Sequence, residues 1–158
     1  MRRNDREITN TEELIGIIEK CKVCRLGLSC NNIPYVIPLN FGFSFQYNQL
    51  SLFFHSAVQG KKIDIIRDNN NGCFEIDCDS RLVIAEKPCA YGYLFKSVIG
   101  FGKIFILNSS AEKTEGLNLI MKHQTGKDII YNYSDDDLKN VCVYKLVVDS
   151  FTGKQKVH

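Results

Sequence analysis

No stretch of this sequence approaches the roughly 18 consecutive apolar residues that a membrane-spanning helix needs. Charge of one sign is also scarce in excess. Twenty Lys and Arg stand against 18 Asp and Glu, a formal net charge of +2. A domain selected for nucleic acid is usually far more basic, so no nucleic-acid partner is expected. No glycine-rich dinucleotide fingerprint or Walker-type loop occurs. Repeats, low-complexity tracts and linkers are missing too, so one domain spanning 1–158 is the simplest organisation. The first residues, Met1-Arg2-Arg3-Asn4-Asp5-Arg6, carry no apolar stretch of the kind a secretory signal has. That predicts a cytoplasmic protein with no membrane partner.

What is present is ordinary for a globular chain: 158 residues, 44% hydrophobic and 24% charged. A chain of this length buries about two-thirds of its unfolded surface and needs no staples. The seven cysteines are therefore read as reduced thiols rather than a disulfide framework.

Helical spacing of Leu14, Ile17, Ile18 and Cys21 predicts a first helix over residues 10–21, with Asn10 as its cap and Glu13 in the capping-box position. Two-residue alternation and many aromatics then predict strands at Val23–Leu28, Ile33–Phe45 and Leu50–His55, separated by turns at 29–32 and 47–49. A short helix over 57–68 follows, then strand segments at Cys73–Asp77 and Leu82–Ala85. Tyr91–Leu107 reads as a hairpin or a strongly bent strand, because its interior glycines weaken a straight one. Ser109 with Glu112 starts another helix that Gly126 stops. Ser134 caps a single turn, and Val141–Val148 closes the chain as a strand. Consecutive strands with few helices predict an antiparallel barrel with peripheral helices.

The densest chemistry lies in Phe53-Phe54-His55-Ser56-Ala57-Val58-Gln59-Gly60-Lys61-Lys62. Alternation puts Leu50, Leu52 and Phe54 on one face and Ser51, Phe53 and His55 on the other. Lys61 and Lys62 fall in the opening turns of a helix, where the dipole disfavours cations by about 0.3–1 kcal/mol each. Two cations there point either to a bound anion, since a helix start suits phosphate, or to a solvated lysine pair behind a capping Ser56. In Ile33–Gly42, Pro34 and Pro38 are an even step apart, so their missing N–H groups lie on one lateral side. The strand is then an ordinary edge, or a backbone surface that the Leu39 and Asn40 amides complete for a flat ligand.

Other candidates are weaker. Cys21-Lys22-Val23-Cys24 has metal or redox spacing, but no second pair exists for zinc, and core packing is the favoured reading. Cys30, Cys73, Cys78, Cys89 and Cys142 have no ligand spacing, so no metal is expected. His123 suits a helix C-terminus and its dipole. Asp135–Asp137 lacks the calcium-loop pattern and reads as capping.

Taken together these segments resemble the pyridoxamine 5′-phosphate oxidase-like flavoproteins of the FMN-binding split-barrel fold, and within them the nitroimidazole-resistance branch. The matching pieces are Arg2-Arg3 with Asp5-Arg6, Cys24-Arg25-Leu26-Gly27, Val36–Gly42, Phe54-His55-Ser56-Ala57, Gly60-Lys61-Lys62, Ser97–Lys103, Met121-Lys122-His123 with Thr125-Gly126, and Thr152-Gly153-Lys154. The resemblance implies a mainly β (α+β), six-stranded antiparallel split barrel that dimerises. Two flavin sites would lie at the homodimer interface.

On this resemblance FMN is the expected cofactor, with FAD the alternative. The strand matching Val36, Pro38, Leu39 and Asn40 would run beside the flavin ring. Phe54, His55, Ser56, Ala57, Lys61 and Lys62 would hold the ring edge and phosphate, and Ser97, Val98 and Ile99 would add contacts. His55 would be the catalytic residue, orienting a small-molecule substrate or supplying a proton, a role imidazole suits because it titrates near neutrality. The implied activity is reduction of a small, flat, electron-poor substrate. A flavin carrier or a haem-binding relative with His55 or His123 as axial ligand are the alternatives. The arginine-rich phosphate signature of true pyridoxamine phosphate oxidases is not found here, so vitamin B6 oxidation is not implied.

Overall fold

The protein is described from a computed structural model covering residues 4–157; Arg2 and Arg3 lie outside the described residues. The first helix, α1 (Thr11–Lys20), starts where Asn10 Oδ1 accepts the Glu13 N–H at 3.0 Å. Its Leu14, Ile17 and Ile18 are buried. Strands β2 (Val23–Cys30) and β3 (Ile33–Asn40) form a hairpin whose turn residues Asn31 and Asn32 both take positive φ, 50° and 62°. That left-handed pair matches the natural twist of two-residue hairpins. Strands β4 (Gly42–Gln46) and β5 (Gln49–Ser56) repeat the device at Tyr47 and Asn48.

The expected single strand over Ile33–Phe45 is thus two. β3 pairs with β2 and β4 pairs with β5, and the chain changes partners at Phe41. Gly42 sets that change. A Cβ there would lie 2.4 Å from backbone atoms of Leu119 and Ile120, so only glycine lets the strand press against the helix above it.

Helix α2 spans Lys61–Asp68, shorter than the expected 57–68, because Gly60 takes φ 136° and begins it late. β6 (Asn71–Val83) runs continuously where two pieces were expected, with a register irregularity between Cys78 and Arg81 and a positive φ at Asp79. β7 (Gly92–Leu107) is the bent strand, shifting register between Phe101 and Gly102. α3 (Ser110–Thr125) has the full Ser109–Glu112 capping box and stops at Gly126 in the left-handed region. α4 (Asp135–Lys139) is the single turn capped by Ser134. The last strand, β8 (Cys142–Lys156), runs well past the expected end at Val148. Its second half, Asp149–Lys156, is too polar to read as a strand from the sequence.

Among the described residues eight strands, rather than six, form one antiparallel sheet in the order β3-β2-β6-β7-β8-β5-β4, with the two-residue β1 (Glu7–Ile8) also on β8. The path curls into a split barrel without closing between β3 and β4. Inside it Leu26, Leu52, Phe54, Phe74, Ile76, Val98, Tyr144 and Leu146 are all buried to 0% exposure. Each of the aliphatic and phenylalanine side chains among them stabilises the fold by roughly 1.5–3 kcal/mol. Helices α1 and α2 add Ile18 and Ile63 to the same core. α3 covers a smaller cluster of Phe53, Leu107, Ile120 and Val143 on the opposite side of β5. Among the described residues no helix is long and apolar enough to cross a membrane.

Because backbone cannot yield as a side chain can, Gly42→Ala is expected to destabilise the fold by about 3 kcal/mol. Urea unfolding checks this; an unchanged midpoint would mean that α3 is not seated on the β3–β4 junction.

Candidate functional site

Alternation along β5 places the expected residues on the expected faces. Leu50, Leu52 and Phe54 are buried inward. On the other face α3 covers Phe53, and His55 lies beyond that cover, exposed at the strand's end beside Val143 of β8. Ser56 does not cap α2: its hydroxyl donates to the Ala57 carbonyl at 3.0 Å. Ala57 is exposed. The start of α2 has no side-chain cap; only the Gly60 carbonyl is engaged there, accepting from Ile63 and Asp64. The opening N–H groups of a helix have no intrahelical partners, so this end offers donors outward. Lys61 is exposed and Lys62 half-buried on that opening turn.

Lys61 is also the link to the second segment. Its Nζ lies 4.7 Å from the ring centroid of Tyr35 on β3. β3 is the terminal strand of the sheet, where its two prolines do no harm to a ladder. Val36 is 62% exposed, Pro38 exposed and Leu39 half-buried. Asn40 is already engaged: its Nδ2 donates to the Lys22 carbonyl (3.2 Å) and to Gln124 Oε1 (3.1 Å). Its Oδ1 and backbone are what remain for a ligand.

Register aligns the third segment with β3 across the outer face. Pro38, Arg25, Glu75 and Ile99 stand in one row over β3, β2, β6 and β7, and Val36, Gly27, Cys73 and Phe101 in the next. Ile99 and Phe101 are 42% and 57% exposed, a large apolar area to leave in water. Arg25 bridges the carboxylates of Glu75 and Asp77 on this face. Burial, with Asp77 nearby, pushes the Glu75 carboxyl up, against the pull of Arg25. Ser97 is half-buried, and Val98 points inward with no exposure. The side chains of Phe54 and Val98 therefore belong to the core, and only their backbone can meet a ligand.

Tyr35, which the sequence reading passed over, joins the lysine helix to the edge strand. The missed latch is the last turn of α3. Gln124 Nε2 donates to the carbonyls of Lys22 (3.1 Å) and Phe41 (2.8 Å). His123, 7% exposed, donates from Nε2 to the Cys21 carbonyl at 2.7 Å and packs against Phe41 and Phe43. A polar pair one residue short of a stop glycine was the only trace of this in the sequence. Cys21 and Cys24 are buried, as core packing requires. Among the described residues no group of three or more His, Cys, Asp or Glu could hold a metal.

The family model for pyridoxamine 5′-phosphate oxidase matches residues 10–155. Among solved structures, the chain is similar to a candidate 5-nitroimidazole antibiotic resistance protein from Bacteroides thetaiotaomicron. The two share 31% identity over 94% of this chain and 86% of that one, with a TM-score of 0.81. An FAD- and haem-binding protein from Mycobacterium smegmatis superposes with a TM-score of 0.82 at 13% identity, covering 97% of this chain and 74% of that one. An FAD-binding protein from Mesorhizobium loti does so at 0.67 and 19% identity, covering 96% and 97%. At such identities these last two show the fold alone. No curated protein matches the chain.

The His123 latch carries a pH dependence. Burial, helped by Lys22, holds the imidazole below its ordinary value of 6.5, against the opposing pull of its bond to Cys21 and of Glu19. The unfolded chain then binds more protons than the folded one just below that value. Stability is fully present above about pH 6.5 and is lost as pH falls through the lowered folded value. The urea midpoint should drop between about pH 7 and pH 5.5 in the wild type and drop less in His123→Gln. Parallel slopes would assign the acid sensitivity to another group.

Proposed function

The chain belongs to the pyridoxamine 5′-phosphate oxidase family, and from that premise we propose that it is a flavin-dependent oxidoreductase of the nitroreductase type. FMN is the favoured cofactor and FAD the alternative. The observation that carries this reading is the start of α2: an uncapped helix end bearing Lys61 and Lys62, tied through Tyr35 to the proline-marked edge of the sheet. Outward N–H donors and two ammonium groups are the donor set that a phosphate tail requires. The edge of β3 supplies flat backbone, that of Leu39 included, and the Val36 and Pro38 side chains for a ring. A bound flavin would supply the redox chemistry; the protein's part is orientation and electrostatics.

His55 is the proton-handling residue. It is exposed at the end of a rigid strand, where it can reach a small substrate without leaving the fold. The substrate is a small, flat, electron-poor molecule, which the likeness to the Bacteroides protein supports. A haem-binding reading is less supported, because His123 has its Nε2 committed to a backbone carbonyl.

The functional unit in this reading is a homodimer built on the outer face of β3, β2, β6 and β7. Exposed Val36, Ile99 and Phe101 are the apolar area it would bury.

The purified protein is expected to carry a yellow chromophore absorbing near 450 nm, as flavins do, rather than the Soret band near 400 nm of haem. Replacing both Lys61 and Lys62 with Ala should weaken flavin affinity at least about tenfold, since charge-assisted phosphate bonds are the strong ones. His55→Ala should keep the affinity while slowing oxidation of the photoreduced protein by a nitroimidazole in stopped flow. Loss of the nitroimidazole reaction with binding intact in the wild type would favour a carrier. A titration showing no difference in the lysine variant would remove the phosphate assignment.

Val36→Asp combined with Phe101→Asp should convert a dimer to a monomer in sedimentation velocity and lower flavin affinity with it. A dimer that survives both charges would use a different face.

A further inference from the structure

The Cys-x-x-Cys motif of the sequence is not a pair in space. Cys24 is fully buried on β2, facing the core. The cysteine that shares a cleft with Cys21 is Cys78, far along the chain. Cys21 Sγ reaches the carbonyl of Asp77, directly before Cys78, at 3.3 Å. Lys20, directly before Cys21, forms an ion pair with Asp79, directly after Cys78. The two cysteines are thus joined by a contact from Cys21 to the residue before Cys78 and by an ion pair between their neighbours, and both line one cleft.

Both lie on held backbone. The Cys21 N–H donates to Ile17 and its carbonyl accepts from His123. Cys78 is paired with Lys96 at the last regular position before the β6 irregularity. A cleft of about 320 Å³, lined by both cysteines together with Lys20, Lys22 and Arg25, opens to them from solvent. Cys78 is half-buried and Cys21 is 7% exposed.

We propose that Cys21 and Cys78 are a disulfide-forming dithiol, a modification site at which a peroxide converts two neighbouring thiols into a bridge between the end of α1 and β6. Cys78, the more accessible sulfur, attacks the peroxide O–O bond. It becomes a sulfenic acid and releases one water. Cys21 then attacks the Cys78 sulfur, the S–S bond forms, and the hydroxyl leaves as a second water with the Cys21 proton. The two sulfurs lose one electron pair and the peroxide gains it. Burial pushes the Cys21 thiol up to about 12 and raises Cys78 as well, so the pair rests protonated and reduced until oxidant is in excess.

The test uses the full chain carrying Cys89→Ser, which removes the exposed cysteine of the β6–β7 connection and with it cross-linking between molecules. The protein is treated with excess hydrogen peroxide, its remaining thiols are alkylated in denaturant, and its peptides are mapped without reduction. The expected result is two fewer alkylated thiols and a linked peptide joining Cys21 to Cys78. In Cys78→Ser on the same background, a half-buried and conservative change, the link is absent and Cys21 is alkylated in full. Cys21 alkylated as before after oxidation, or linked instead to Cys24 or Cys73, would overturn the assignment.

Discussion

The last turn of α3 holds the open side of this barrel together. Two carbonyls just before β2, those of Cys21 and Lys22, and one just past the end of β3, that of Phe41, are all bound by His123 and Gln124. Each net hydrogen bond is worth only about 1 kcal/mol. Leaving the Cys21 and Phe41 carbonyls without these partners would cost more, because an orphaned polar group bears its whole desolvation penalty. The sheet has no strand to place there, since its path ends at β3 on one side and β4 on the other. A helix end, whose side chains can reach backbone that no strand reaches, closes the gap. The close approach at Gly42 is the steric half of the same arrangement.

The two halves of the proposed cradle are joined by a weaker force. A lysine over a half-buried tyrosine ring contributes on the order of 1 kcal/mol. A charge-assisted bond to phosphate is stronger. Tyr35 therefore parks the Lys61 ammonium beside the sheet edge without competing seriously with an anion for it. The arrangement keeps a positive group near the site while the anion is absent, at little cost in affinity when it arrives.

Local chemistry was legible in the sequence and long-range pairing was not. The turns at Asn31-Asn32, the Ser109–Glu112 and Ser134–Asp137 boxes and the stop at Gly126 all depend on residues within a few positions of one another. So does the face alternation of β5 that separates Phe54 from His55. The partner change at Phe41 depends on a helix some eighty residues later, and a period of two continues smoothly across it. Residues Asp149–Lys156 join the sheet because β7 and β1 are waiting for them, not because of their own propensity. At the site, the lysine pair and the prolines were visible as local anomalies. Tyr35 and Gln124 act through partners that only the fold supplies, and the commitment of Asn40 to Gln124 could not be read at all.

The length and position of β8 set the order in which this molecule can assemble. It is the last strand in sequence, yet it stands inside the sheet between β7 and β5 and also carries β1. The β4–β5 hairpin has no other strand to pair with in the sheet, so its place there waits until the final strand slots in. Loop-closure entropy must be met before those distant pairings repay it, which makes such topologies slow folders. On the ribosome, the nascent chain would hold an unfinished ribbon with bare edges until these residues emerge. That interval is when the protein is most exposed to aggregation and most in need of a chaperone.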